Sequence, residues 1–263
     1  MNSSEVTSAA REAGNSRVVE WGARLGYAVL GLIHLLIAWI ALKVAWGIGG
    51  GSKDADTSGA LNTMASSGTG VVLLWICVAG FVLLTVWQLI EAAIGFGETA
   101  DRAKAAAKGV TYAFFAWTTL QVAQGAGSSA EEQTEDFTAG LMGSPGGRVL
   151  VALVGLVVLG IAGYHVYKGW TKKFIEDLRE HPGDWAVTAG RVGYVAKGVA
   201  LVIVGFFFLV AAWQADPEKA QGLDGALKTV KDQPFGPFLL TLVAAGIAAY
   251  GIYSFARSRY ARV

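Results

Sequence analysis

Long apolar runs separated by short polar stretches cover most of the chain. Six of them have the length of a membrane helix, at about 24–46, 70–94, 107–124, 148–170, 190–213 and 235–256. At 1.5 Å per residue, about 20 apolar residues cross the hydrocarbon core of a bilayer. The runs are continuous and lack the period-two alternation of an outer-membrane strand, so their backbone groups must be satisfied within helices. The third run, AAKGVTYAFFAWTTLQVA, is the least apolar, because Thr111, Thr118, Thr119 and Gln121 dilute it, yet it contains no acidic residue. The pattern predicts an all-α fold, a polytopic membrane protein with six transmembrane helices.

The runs repeat. GARLGYAVLGLIHLLIAWIALKVAWG at 22–47 overlays AGRVGYVAKGVALVIVGFFFLVAAWQ at 189–214, pairing Arg24 with Arg191, Gly26-Tyr27 with Gly193-Tyr194, Gly31 with Gly198 and Trp46 with Trp213. A middle copy keeps Arg102 and Gly109, matches Trp117 to Trp39, and carries Lys104-Ala105 in place of Gly-Tyr. The second helices repeat as well: Leu61, Leu141 and Leu227 each precede a glycine, Gly80, Gly160 and Gly246, by 19 residues. The phrases Gly59-Ala60-Leu61, Ala139-Gly140-Leu141 and Gly225-Ala226-Leu227 stand at their entrances. Three parallel two-helix hairpins follow. The expected segments are a polar cytoplasmic tail over 1–20 and repeats over 21–98, 99–180 and 181–263, the last with a cytoplasmic tail.

Charge gives the hairpins an orientation. Of 21 basic and 20 acidic residues, fifteen basic and ten acidic lie on the side that holds both termini, so that side carries +5 and the other −4. Short Lys/Arg-rich flanks stay in the cytoplasm. A multi-pass protein of the bacterial plasma membrane with both termini cytoplasmic is the expectation. The first run is too long for the apolar core of a cleavable signal.

Composition agrees with this picture. The chain is 54% hydrophobic and only 16% charged, with 35 glycines and a mean hydropathy of +0.47, which leaves no room for a large extramembrane enzyme domain. The near-balanced charge offers no surface for nucleic acid. One cysteine, Cys77, excludes an internal disulfide and a thiolate metal cluster.

The repeated Gly-Tyr first helices, the Ala-Trp endings and the three hairpins resemble the bacterial membrane family known as the domain of unknown function 1206 family. Arg24, Gly26, Tyr27 and Gly31 carry the likeness in the first copy, and Arg191, Gly193, Tyr194, Lys197 and Gly198 in the third. The resemblance implies tandem two-helix units within a short integral membrane protein. It brings no catalytic residue or ligand with it.

Small residues let helices approach closely where lipid supplies no hydrophobic drive. Gly26, Tyr27, Gly31, Gly109, Gly193, Tyr194 and Gly198 are therefore assigned to repeat packing. Polar residues inside apolar runs are the other signal, since they are costly there. His34 falls near the middle of the first run, Gln88 and Glu91 share a face near the end of the second, and His165 sits toward the inner end of the fourth. These four are the candidate polar or transport positions. The segment KKFIEDLREHPGDW, residues 172–185, reads either as a short interfacial helix whose apolar side is Phe174, Ile175 and Leu178, a surface for lipid or a partner, or as an ordinary short connector.

Nucleophile, zinc, nucleotide-loop and dinucleotide motifs are absent, so no catalytic residue, metal ligand or cofactor is assigned. The sequence supports a noncatalytic integral-membrane structural or interaction module, with a small transporter or channel for a proton or small polar solute as the alternative. Its expected partners are membrane lipids and a second copy or another membrane protein.

Overall fold

A computed structural model describes residues 17–48, 55, 57–66, 68–94, 99–126 and 130–261; the tail expected over 1–20 lies outside the described residues as far as residue 16. Among the described residues the chain forms nine α-helices and two 3-10 turns. In order these are α1 Arg17–Ala45, α2 Thr57–Ala65, α3 Gly68–Ile94, α4 Thr99–Ala123, α5 Ala130–Met142, α6 Gly147–Trp170, α7 Asp184–Gln214, α8 Leu223–Lys231 and α9 Gly236–Tyr260. The 3-10 turns, Lys173–Asp177 and Pro217–Lys219, flank α7.

Five helices, α1, α3, α6, α7 and α9, are long and apolar enough to cross a membrane. The third expected span forms as α4, with 25 residues, but does not reach the apolarity of the other five.

Each copy contains a short helix that the hydropathy pattern does not reveal. Instead of standing at the entrances of the long helices, the phrases Gly59-Ala60-Leu61, Ala139-Gly140-Leu141 and Gly225-Ala226-Leu227 lie inside α2, α5 and α8. In front of each phrase is a buried polar residue, Ser58, Thr138 and Asp224. The repeating element is thus a long, a short and a long helix.

Two of the joints after the short helices share one construction. Pro145 precedes Gly146 at φ 76, and Pro234 precedes Phe235 at φ 61. In the first, the Gly147 N–H donates to Ser144 O over 2.9 Å; in the second, the Gly236 N–H donates to Gln233 O over 2.8 Å. A Cβ on Gly147 would land on the Leu141 carbonyl oxygen, and one on Gly236 on that of Lys231. Glycine is required at both places because the new helix starts against the backbone of the one just ended.

The chain divides into two compact units, one of residues 1–30, 61–127 and 255–263, the other of residues 31–60 and 128–254. In the first, α3 packs along α4. The start of α1 also meets α3, where a Cβ on Gly26 would overlap the Leu84 side chain and lie 2.9 Å from Gly80 O. In the second unit α6 packs along α7, with Gly155 and Gly205 back to back: a Cβ on either would lie 3.0–3.1 Å from the other's carbonyl oxygen.

Candidate functional site

The aligned glycines mark two recurring contacts. Gly26 takes the last helix of its own copy at Leu84, and Gly193 does the same at Tyr250, where a Cβ would lie 2.5 Å from the Tyr250 Cα and N. Gly109 and Gly198 instead take the last helix of the copy before: Gly109 meets Leu89 and Gln88 of α3, and Gly198 meets Val166 and the Ala162 carbonyl of α6. At the matching position of the first copy, the Gly31 carbonyl lies 2.9 Å from where a Cβ on Gly251 of α9 would stand. The tyrosines after the first pair of glycines, Tyr27 and Tyr194, are both buried. Arg257 stands 4.3 Å from the Tyr27 ring centroid, a cation–π distance.

Around Tyr194 the second unit builds an aromatic cluster. Its ring lies 5.2 Å from Tyr250 and 5.6 Å from Tyr253, both edge-on, and stacks at 5.4 Å on Phe174. Such offset and edge-on pairs contribute about 0.5–1.5 kcal/mol each beyond area burial. The Tyr253 hydroxyl donates to the Phe174 carbonyl over 3.2 Å. Phe174 enters this cluster because Gly190 leaves room for its ring, 2.6 Å from a would-be Cβ.

That placement corrects the reading of residues 172–185. Lys173–Asp177 is a 3-10 turn, and Phe174 and Leu178 are buried, so the apolar side expected to face lipid or a partner faces inward. Aromatic partners on α7 and α9 give Phe174 a better environment than an interface would.

Two lysines and two histidines complete the cluster. Lys168 Nζ contacts Asp177 Oδ2 at 2.6 Å and stands 5.5 Å from the Tyr194 ring. Lys197 Nζ is 4.5 Å from the Tyr250 ring. His34 packs on Tyr250 at 4.7 Å and His165 on Tyr194 at 5.7 Å. The His165 Nδ1 lies 2.8 Å from the Ile161 carbonyl; a carbonyl only accepts, so Nδ1 carries the proton there.

Of the four candidate polar positions, the structure therefore brings His34 and His165 to one cluster, on different tyrosines. Gln88 and Glu91 belong to the other unit. Gln88 is buried beside Gly109, and Glu91 is exposed near the end of α3. The pairing of Lys168 with Asp177 escapes a reading of the sequence, because no repeat position or motif singles it out. Among the described residues no group of three or more His, Cys, Asp or Glu could hold a metal ion.

Outside the cluster, a cavity of about 600 Å³ opens along α7 between α9 and the end of α6. Trp170, Lys172, Thr188 and Arg191 line one end, and valines of α7 with Leu242 and Val243 line the rest. Arg191 stacks on Trp170 at 5.0 Å.

Comparison with known proteins extends the repeat. The family model described as "Domain of Unknown Function (DUF1206)" matches three times, over residues 25–95, 103–172 and 192–261. "Uncharacterized protein YxxB" of Bacillus subtilis (strain 168) is 28% identical over 250 residues, covering 90% of this chain and 89% of its own length. No solved structure matches.

Proposed function

Because the chain belongs to the Domain of Unknown Function (DUF1206) family and carries three copies of its unit, we propose that it is a noncatalytic integral-membrane structural or interaction module. It crosses the membrane six times in three repeated hairpins. The observation that carries this reading is that helix packing engages the conspicuous residues of the repeats. The aligned glycines sit under neighbouring helices, and the buried tyrosines and both embedded histidines pack ring against ring.

Exposed apolar surface supports the bilayer as solvent. Along α6, Val149, Leu150, Leu153, Leu156, Val157 and Ile161 are all exposed, an array far larger than soluble monomers tolerate. Trp185 and Trp213, both exposed on α7, are separated by about 42 Å of helical rise, close to the roughly 40–45 Å of a bilayer with its headgroups. Tryptophan favours those interfaces.

Helix α4 is the sixth crossing. Its low apolarity comes from Asp101, Arg102, Lys104 and Lys108 in its first turns, from Gln121 near its end, and from hydroxyls that are satisfied within the helix: Thr119 donates to Phe115 O over 2.6 Å, Thr118 to Phe115 O over 3.2 Å and Thr111 to Ala107 O over 2.9 Å. Threonine bonded to its own helix costs little in lipid. With α4 crossing, both termini lie on the basic side, the cytoplasm of a bacterial plasma membrane. The partners are membrane lipids, then a second copy or another membrane protein.

Reconstitution into vesicles tests the function. Folded protein is expected to pass neither protons nor small polar solutes down an imposed gradient. A flux that disappears in His34→Ala or His165→Ala would overturn the reading in favour of transport.

A further inference from the structure

The cavity on α7 joins two kinds of surface that one ligand class would need together. At the end where α6 stops and α7 begins, Lys172 and Arg191 supply positive charge, with the Thr188 hydroxyl beside them. Beyond them the wall is aliphatic, formed by Val195, Val199, Leu242 and Val243. From Thr188 to Val199 the groove follows α7 for about 16 Å of helical rise, close to the roughly 15 Å of one leaflet's hydrocarbon.

The backbone places one basic residue and an aromatic ring holds the other. Lys172 adopts a left-handed backbone at φ 57, which turns the chain out of α6 and sets this residue at the cavity rim. Arg191 is held over Trp170 at 5.0 Å, which leaves the edge of its planar guanidinium for a phosphate, the geometry for which arginine is suited. Gly246 keeps the floor of the groove low; a Cβ there would strike Ala196.

We propose that this cavity is a binding site for one anionic phospholipid, with the headgroup phosphate on Arg191 and Lys172 and an acyl chain along Val195 and Val199. The site rests on the chain being embedded in a membrane. Charge selects the occupant: a zwitterionic lipid would bring its own cation to the two basic groups, whereas a headgroup with net negative charge meets them without opposition. Each basic residue near a membrane surface contributes about 1 kcal/mol of attraction to anionic lipid.

The test is native mass spectrometry of the full chain in detergent, titrated with phosphatidylglycerol or with phosphatidylcholine of the same acyl chains. Wild type is expected to retain one phosphatidylglycerol in preference to phosphatidylcholine. Arg191→Gln with Lys172→Gln should weaken that binding about 30-fold, two contributions of about 1 kcal/mol each. Val199→Trp, which fills the groove and leaves the charges in place, should also displace the lipid. Lys219→Gln, far along the chain in the other 3-10 turn, should change nothing. Thermal melting of each variant identifies any loss caused by misfolding, and Lys172→Gln alone, at an exposed residue and expected to weaken the binding about 5-fold, stands in should Arg191→Gln not fold. Equal retention of the two lipids, undiminished binding in the double variant, or full displacement by inorganic phosphate would each overturn the proposal. Release of the protein from membranes by alkaline carbonate would instead overturn the embedding on which it rests.

Discussion

Gly193→Ala is a stringent test of the packing argument because the added methyl meets backbone. Its Cβ would lie 2.5 Å from the Tyr250 Cα and N, against a carbon–carbon optimum of about 3.5–4.0 Å. No rotamer change relieves a clash with main chain, so α7 and α9 must separate by about 1 Å. Tyr250 would move with its helix, away from Tyr194 at 5.2 Å and Lys197 at 4.5 Å on α7. Overpacking costs about 1–3 kcal/mol, and weakening the aromatic contacts adds about 1 kcal/mol. The better helix propensity of alanine returns about 1 kcal/mol. A net loss of about 1–3 kcal/mol remains, on the order of 5 °C in melting temperature. Gly160→Ala is the paired control: nothing lies within 4 Å of its would-be Cβ, so only the propensity gain of about 1 kcal/mol applies. Thermal unfolding in one detergent, followed by tryptophan fluorescence, reads both. Equal melting of Gly193→Ala and wild type, or an equal loss in Gly160→Ala, would refute the reasoning.

Further substitutions probe other joints. Ala215 ends α7 in a left-handed conformation, φ 56, so Ala215→Gly should raise the melting temperature by relieving about 1 kcal/mol of backbone strain; a lower value would contradict that cap. Asp224 accepts the Ala55 N–H over 2.7 Å and pairs with Lys228. Asp224→Ala should cost about 1–3 kcal/mol by stranding that buried donor, seen as faster amide exchange at Ala55 and along α8. Arg148 donates to the last carbonyls of α7, at Ala212 and Trp213, over 2.9 and 2.7 Å. Arg148→Ala should destabilise by about 1 kcal/mol, and an unchanged melt would remove that cap from the account.

Much of the fold is legible in the hydropathy pattern because lipid demands one thing of a spanning segment, a long apolar helix. Among the described residues five helices are long and apolar enough to cross a membrane, and the family model matches three times, as the aligned Gly-Tyr and Arg positions lead one to expect. The short helices are harder to see. α2 and α8 have nine residues each, and their signal is a buried polar residue before a Gly-Ala-Leu phrase, which looks like a loop. The exact register of the second helices is also hidden. The spacing of 19 residues pairs Gly160 with Gly246, while the proline turns pair Pro145 with Pro234, three positions away. Three residues are nearly one helical turn, so either register places glycine on almost the same face. The turns decide, and Gly160 is left open.

The candidate site was less legible for a different reason. A histidine in an apolar run stands out, and His34 and His165 do, but what surrounds them is set by long-range packing. Phe174 comes from the 3-10 turn and Tyr250 and Tyr253 from α9, elements other than the two histidines' helices, and their rings lie against one another. The Phe174–Leu178 segment could be read equally as an outward apolar face, because its periodicity reports that one side is apolar and not which way it points.

The central claim is six membrane crossings, and parity tests it most directly. Among the described residues five helices are apolar enough by composition to cross, and five crossings would put the ends of the chain on opposite sides; with α4 crossing as well, they share a side. Reporters active on only one face of the membrane, fused in turn to the first and last residues of the full chain, distinguish the two. The account predicts cytoplasmic signal from both fusions. Signal from opposite faces would contradict it.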